Sequence, residues 1–301
     1  MIAILFTDAL VKQVDVIQAI SDIQTKFAVV GRDKVLRKVI LGATAGKHIL
    51  LEGPVGVGKT TLAHAVAAYF DQGFIRIDGD ERYTESKLVG HFEPPLVVEK
   101  GWIWDAFVPG PLTLSMKNGS ILFINEANRL IEGTQNVLLP TMDEGMLILP
   151  KLGVINAVDG FLVVATQNPE SYIGTTVLSE ALKDRFVWIK LEYQSYEDEL
   201  EIVIQKAEIA PEDLLISETS TKIMRATRNH VDIRRGSSIR GAIDLAKILN
   251  LVKSMTLETV SEMSIMTLAT KIELEDGVER PIEDVIHEIV EAILSGDDSF
   301  L

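Results

Sequence analysis

Gly53-Pro54-Val55-Gly56-Val57-Gly58-Lys59-Thr60 satisfies the pattern GxxxxGK[ST] at every position. His48-Ile49-Leu50-Leu51-Glu52 ahead of it reads as an apolar strand, and Thr61–Tyr69 behind it as a helix. Strand, glycine-rich turn and helix start together make a phosphate cradle. Backbone N–H groups freed by Gly53, Gly56 and Gly58 point at phosphate oxygens, and the helix N-terminus adds partial positive charge. Pro54, Val55 and Val57 carry the loop round the phosphates, and Thr61 continues into the helix. Lys59 supplies a point charge to the β- and γ-phosphates, and the Thr60 hydroxyl is placed to ligate Mg²⁺. By average composition such a pattern arises by accident in on the order of one chain in a hundred. With its flanking elements, it makes this a nucleoside triphosphate-binding chain.

A chain of 301 residues holds one large core, or one core and a smaller helical domain. Apolar content of 47% with 24% charged residues is that of a soluble globular protein. No apolar run approaches the ~18 residues of a membrane span. Met1–Phe6 is apolar but lacks a basic leader and soon meets Asp8, which argues against a signal peptide. The absence of cysteine excludes disulfides, Cys-ligated zinc and thiol catalysis, and points to the cytoplasm, where the triphosphate is available. Net charge is −15, and residues 194–301 hold 22 acidic against 11 basic side chains. So acidic a surface repels phosphate backbones and disfavours nucleic acid as a partner.

Two compositional regimes divide near Tyr193. Before it, apolar runs at Ile49–Glu52, Phe74–Asp78, Ile121–Asn125, Phe161–Thr166 and Val187–Leu191 alternate with helical stretches. That alternation predicts an α/β fold, a five-stranded parallel sheet with helices on both faces. After Tyr193 the periodicity is helical: Ile282, Val285, Ile286, Ile289, Val290 and Ile293 keep one face, with Pro281 at its start. The expected assembly is a nucleotide-binding domain over 1–193 and a C-terminal α-helical lid over 194–301. Leu96–Trp104 and Met146–Ile155 each set glycine among β-forming residues and read as hairpins. Their apolar tips are candidate contacts with other chains. Trp188 reads as a core side chain, Arg234-Arg235 as a surface loop pair, and the histidines as structural, since none has metal-ligand spacing.

A triphosphatase also needs a carboxylate near Mg²⁺ and a residue that activates water. Ile121-Leu122-Phe123-Ile124-Asn125-Glu126 has the right form, with the metal-side position filled by Asn125 and Glu126 left to polarise water. Asn125 can accept a hydrogen bond from a Mg²⁺-bound water but carries no charge. Asn168 ends another apolar strand, where it can help hold the attacking water. Arg185 stands before the final strand.

That ordering resembles the MoxR family of AAA+ ATPases, of the clade with an insert in helix 2. The resemblance runs from about Val30-Gly31-Arg32 into the lid. Pro109-Gly110-Pro111-Leu112 precedes Asn125-Glu126-Ala127-Asn128-Arg129, which is similar to the family's Asp-Glu-Ile-Asn-Arg. Ala165–Pro169 matches its Ala-Thr-Gln-Asn-Pro block, Glu180–Phe186 its Glu-Ala-x-x-Asp-Arg-Phe block, and Gly236–Arg240 resembles Gly-Ala-Ser-Pro-Arg. The resemblance implies ATP as the nucleotide, Asn168 as the sensor that orients water, Arg185 as the arginine finger reaching a neighbouring subunit, and Arg240 as the lid sensor. It implies no catalytic role for Arg129. It also implies a hexameric ring acting as a chaperone, often with a von Willebrand A domain protein. Asn125 departs from the family's aspartate, which leaves two functions in view: an ATP-driven remodeller, and a nucleotide-gated scaffold that hydrolyses little.

Overall fold

The computed structural model describes residues 15–169, 178–297 and 300; Met1–Phe6, read above for a leader, lies outside them. The chain forms two compact units. The first runs to Pro54 and resumes over Gly58–Glu192; the second takes Val55–Val57 and everything from Tyr193 onward.

Five parallel strands form the sheet of the first unit. We number them in chain order: β1 His48–Glu52, β2 Phe74–Asp78, β3 Ile121–Asn125, β4 Leu162–Gln167 and β5 Phe186–Lys190. Across the sheet the order is β2, β3, β4, β1, β5, every neighbouring pair parallel. The three central strands are runs of apolar residues because helices cover both of their faces. β4 is buried along its whole length, and Ile49 and Leu51 of β1 and Leu122 and Phe123 of β3 are buried beside it. The helix Lys59–Tyr69 follows β1 and buries Leu62, Ala63, Ala65, Val66 and Ala67, small residues that let it lie close. The expected sheet is therefore present, each strand within a residue of its predicted bounds.

Two expectations fail here. Leu96–Trp104 is not a hairpin: Pro94–Lys100 is a helix that Pro94 and Pro95 start and Gly101 (φ 83°) ends, with a 3₁₀ turn at Trp104–Ala106. Proline's fixed φ suits the first helical turn, and that local preference overrides the β-forming Val97 and Val98. Trp188 is not core, being 57% exposed on the edge strand β5. The Met146–Ile155 reading holds. Met146–Leu149 pairs antiparallel with Gly153–Asn156, and the facing Ile148 and Val154 are exposed.

The second unit is built from the helices Tyr196–Ala207, Leu214–Asn229, Ile239–Val252, Leu257–Leu268 and Ile282–Ser295. Val203, Ile223, Leu245, Leu249, Ile286 and Ile289 form its core. Pro281 caps the last helix, whose predicted apolar face is the buried one. Arg234 and Arg235 lie in a short strand, Ile233–Arg235, paired with Glu273–Leu274, and both are ion-paired to Glu273. They are thus exposed, as expected, but not in a loop.

Candidate functional site

β1 delivers the chain into the glycine-rich loop. Gly53 is required by close approach: a Cβ there would lie 2.3 Å from the Leu191 carbonyl oxygen. Gly58 caps the following helix at φ 86°, a left-handed conformation that favours glycine. No side chain caps this helix. The N–H groups of its first turn lie outside the helix's own hydrogen-bond ladder and are directed along its axis toward the loop. Lys59 is buried, and its ammonium donates to the Gly53 carbonyl at 2.6 Å, the Pro54 carbonyl at 2.9 Å and Asn168 Oδ1 at 3.0 Å. The phosphate-loop lysine and the residue just beyond β4 are thus brought together from opposite ends of the 53–168 segment.

At the ends of β2, β3 and β4 the side chains form one directed chain of hydrogen bonds. The Glu126 N–H donates to Thr166 Oγ1 at 2.9 Å, and that hydroxyl donates to Asn125 Oδ1 at 3.1 Å. Asn125 Nδ2 donates to Asp78 Oδ1 at 2.8 Å. Arg76 forks onto the same carboxylate, at 2.6 and 3.2 Å. The Arg76 guanidinium, with help from the Asn125 amide, holds the Asp78 carboxyl below its ordinary range. Glu126 itself is left-handed (φ 52°, ψ 50°), and its carboxylate accepts from Arg129 at 2.9 Å. That contact raises the affinity of Arg129 for its proton.

Arg185 follows the short helix Glu180–Lys183, donating to the Ala181 carbonyl and pairing with Asp143. Among the described residues it shares no hydrogen bond with the chain from Glu126 to Arg76. Arg240 is the second residue of Ile239–Val252 in the second unit. Sequence reasoning missed Asp78, Arg76 and Thr166. Asp78 ends its strand as Asn125 ends β3, and Thr166 sits inside the Ala165–Pro169 block; the signals were present but not separable from ordinary strand ends.

Among the described residues no cluster of three or more His, Asp or Glu side chains could hold a metal by itself. Thr60 and Asn125 offer neutral oxygens. Hard oxygen donors in small number fit Mg²⁺ carried in with a triphosphate, which keeps most of its ligands from water and phosphate.

Comparison with known proteins places this geometry. The family model for the AAA domain (dynein-related subfamily) matches residues 48–186. The gas vesicle ATPase GvpN of Haloferax mediterranei is 32% identical over 261 residues, 79% of this chain and 74% of that protein. The uncharacterised Bacillus subtilis protein YojN is 34% identical over 217 residues, 70% of each chain. A solved candidate ATPase of Cytophaga hutchinsonii superposes with a TM-score of 0.51 at 22% identity, covering 92% of this chain and 94% of that one; this likeness shows the fold alone.

Proposed function

We propose that this chain, which belongs to the AAA ATPases of the dynein-related subfamily, is a MoxR-like cytoplasmic motor that couples Mg²⁺-dependent ATP hydrolysis in a hexameric ring to the remodelling of partner proteins. Residues 1–193 bind the nucleotide and 194–301 act as its lid. The observation that carries the reading is the Lys59–Asn168 contact at 3.0 Å, which joins the phosphate loop to the strand-end asparagine. Similarity to GvpN, an ATPase by name, supports hydrolysis. A von Willebrand A domain protein is the first client to test.

In this mechanism Gly53–Thr61 wraps the phosphates with backbone N–H groups, and Lys59 exchanges its carbonyl partners for phosphate oxygens. Thr60 would ligate Mg²⁺ and Asn125 would hold it through a bound water, and the ion would supply neutralisation of phosphate charge. Asn168, released by Lys59, orients the attacking water. Glu126, released from Arg129, accepts the water's proton. Arg185 leaves Asp143 to stabilise charge on the γ-phosphate of a neighbouring subunit, and Arg240 reports nucleotide state to the lid.

The test is steady-state ATP hydrolysis with Mg²⁺, together with the mass of the nucleotide-bound assembly. Glu126→Gln should abolish turnover while the assembly persists, and Arg185→Ala should do the same. Equal turnover in wild type and both variants overturns the reading. The second reading, a nucleotide-gated scaffold, is favoured by the uncharged Asn125; an assembly with negligible wild-type turnover, with or without client, would establish it.

A further inference from the structure

The bridge between β2 and β3 is not used in the mechanism above, yet it decides what Asn125 presents. Parallel pairing sets Asp78 and Asn125 as Cα partners at the C-terminal ends of adjacent strands. An asparagine amide has a donor end and an acceptor end, and only its hydrogen bonds fix which faces where. Here both ends are specified. Asp78, an acceptor only, takes Nδ2 at 2.8 Å, so Oδ1 faces Thr166 at 3.1 Å. That oxygen only accepts, so the Thr166 proton points at Asn125, while Thr166 Oγ1 accepts from the Glu126 N–H. Every bond runs in one direction, from Glu126 through Thr166 and Asn125 to the Asp78 carboxylate, where Arg76 closes the chain. Such aligned chains strengthen one another.

We infer that Asp78 is a positioning residue of the nucleotide site: it carries the negative charge of the strand-end cluster and locks the Asn125 amide with its oxygen available, so that the two residues act as one unit. This rests on the ATPase reading. Without the Asp78 carboxylate the Asn125 amide is free to rotate its donor end into the position of Oδ1. With a second carboxylate at 125, two anions face each other across the paired strand ends, and among the described residues Arg76 and Thr166 are the donors bonded to that pair. Asp78→Asn removes the charge and one acceptor oxygen, setting an amide NH2 against Arg76, and Asn125→Asp removes the donor. Exchanging the two residues sets a carboxylate and an amide face to face again.

The experiment compares four full-length proteins: wild type, Asp78→Asn, Asn125→Asp and the double exchange. Affinity for a non-hydrolysable ATP analogue is measured with and without Mg²⁺, and thermal midpoints are measured without nucleotide. The Mg²⁺-induced gain in affinity should fall about fivefold or more in each single variant and return to within about twofold of wild type in the exchange. The midpoint of Asn125→Asp should drop and recover in the same way. A purely structural bridge would move the midpoints alone and leave the Mg²⁺ gain constant, which overturns the inference. Single effects that simply add in the exchange also overturn it, while leaving the ATPase reading intact. Wild type that binds no ATP analogue, with or without Mg²⁺, overturns both.

Discussion

Thr166→Val tests whether the strand-end chain holds in place Glu126, the carboxylate proposed to activate water. Thr166 is fully buried at the end of β4, and valine replaces it at nearly equal volume, so no cavity opens. What is lost is the hydroxyl, which accepts from the Glu126 N–H at 2.9 Å and donates to Asn125 at 3.1 Å. Leaving a buried donor without a partner costs about 1–3 kcal/mol; the Glu126 amide is only partly buried, so about 1–2 kcal/mol applies. In a unit of roughly 190 residues that lowers the melting midpoint by about 2–8 °C. A second effect follows from the backbone. Glu126 sits at φ 52°, a left-handed conformation that costs an L-residue about 1–2 kcal/mol and persists only while neighbours hold it. With the Thr166 contact gone, Glu126 relaxes and its carboxylate moves. ATP turnover should fall about tenfold or more, whereas nucleotide affinity, set by Gly53–Thr61, should change by no more than about threefold. Thr166→Ser keeps the hydroxyl and should restore most of both quantities. Differential scanning calorimetry and steady-state hydrolysis read the two effects. A Thr166→Val protein with wild-type midpoint and wild-type turnover refutes the reasoning.

Three further outcomes are expected. His48 is held neutral by burial, with Nδ1 accepting from the Val163 N–H at 2.9 Å and Nε2 against the Met142 carbonyl at 3.2 Å, and its pKa is lowered. A histidine whose folded pKa lies below its unfolded value, ordinarily about 6.5, contributes stability above that pH and loses it as pH falls, by up to about 1.4 kcal/mol per pH unit. Between pH 7.5 and 5.5 the wild-type midpoint should therefore drop more steeply than that of His48→Gln; parallel curves would remove His48 as the cause. In the second unit the buried Glu199 pairs with Arg225 at 2.6 Å and Arg228 at 2.9 Å; Glu199→Gln removes that shared anion while leaving the guanidinium groups their carbonyl acceptors on Gln194 and Ser237, and should cost about 1.5–3 kcal/mol, read by chemical denaturation. At the hairpin tip, Ile148→Ser with Val154→Ser removes apolar side chains that are 75% and 53% exposed, so stability should shift by less than about 0.5 kcal/mol while client-stimulated turnover falls; unchanged client stimulation would show that the tip is not the contact.

How much of this was legible in the sequence depends on the range of the interaction. The sheet was legible because β1, β3 and β4 are covered on both faces and announce themselves as continuous apolar runs. The strand, glycine-rich turn and helix around Gly53–Thr60 were legible because their signal is packed into consecutive residues. Trp188 was misplaced since alternation along a strand distinguishes its two faces but says nothing of which is covered, and β5 is an edge. Pro94–Lys100 was misplaced because the β-forming Val97 and Val98 drew the reading, although none of its residues is buried and sheet packing offers them nothing. The Asp78–Asn125 bridge joins positions 47 apart, and no local pattern marks it. Read along the chain, Asn125 is a missing charge; across the sheet, the charge stands beside it.

The same cross-sheet view bears on how the proposed motor would be switched. Three of the charged groups proposed for the chemistry are engaged within this chain: Lys59 with two loop carbonyls and Asn168, Glu126 with Arg129, and Arg185 with Asp143. Exposed ion pairs of the Glu126–Arg129 and Arg185–Asp143 kind are worth about 0–1 kcal/mol each, so a bound triphosphate or an incoming subunit displaces them easily. Lys59 differs, because the residue is buried and its bonds to Gly53, Pro54 and Asn168 are to neutral oxygens. A phosphate offers it full negative charge in the same low-dielectric surroundings, where charge-assisted bonds are about twice as strong as neutral ones. In the proposed motor Lys59 would therefore gain from nucleotide, and its departure would free Asn168. On this ordering, the water-holding asparagine is released only after the phosphates are in place. ATP binding would then precede assembly of the hydrolytic constellation, which keeps water from being activated before there is a γ-phosphate to attack.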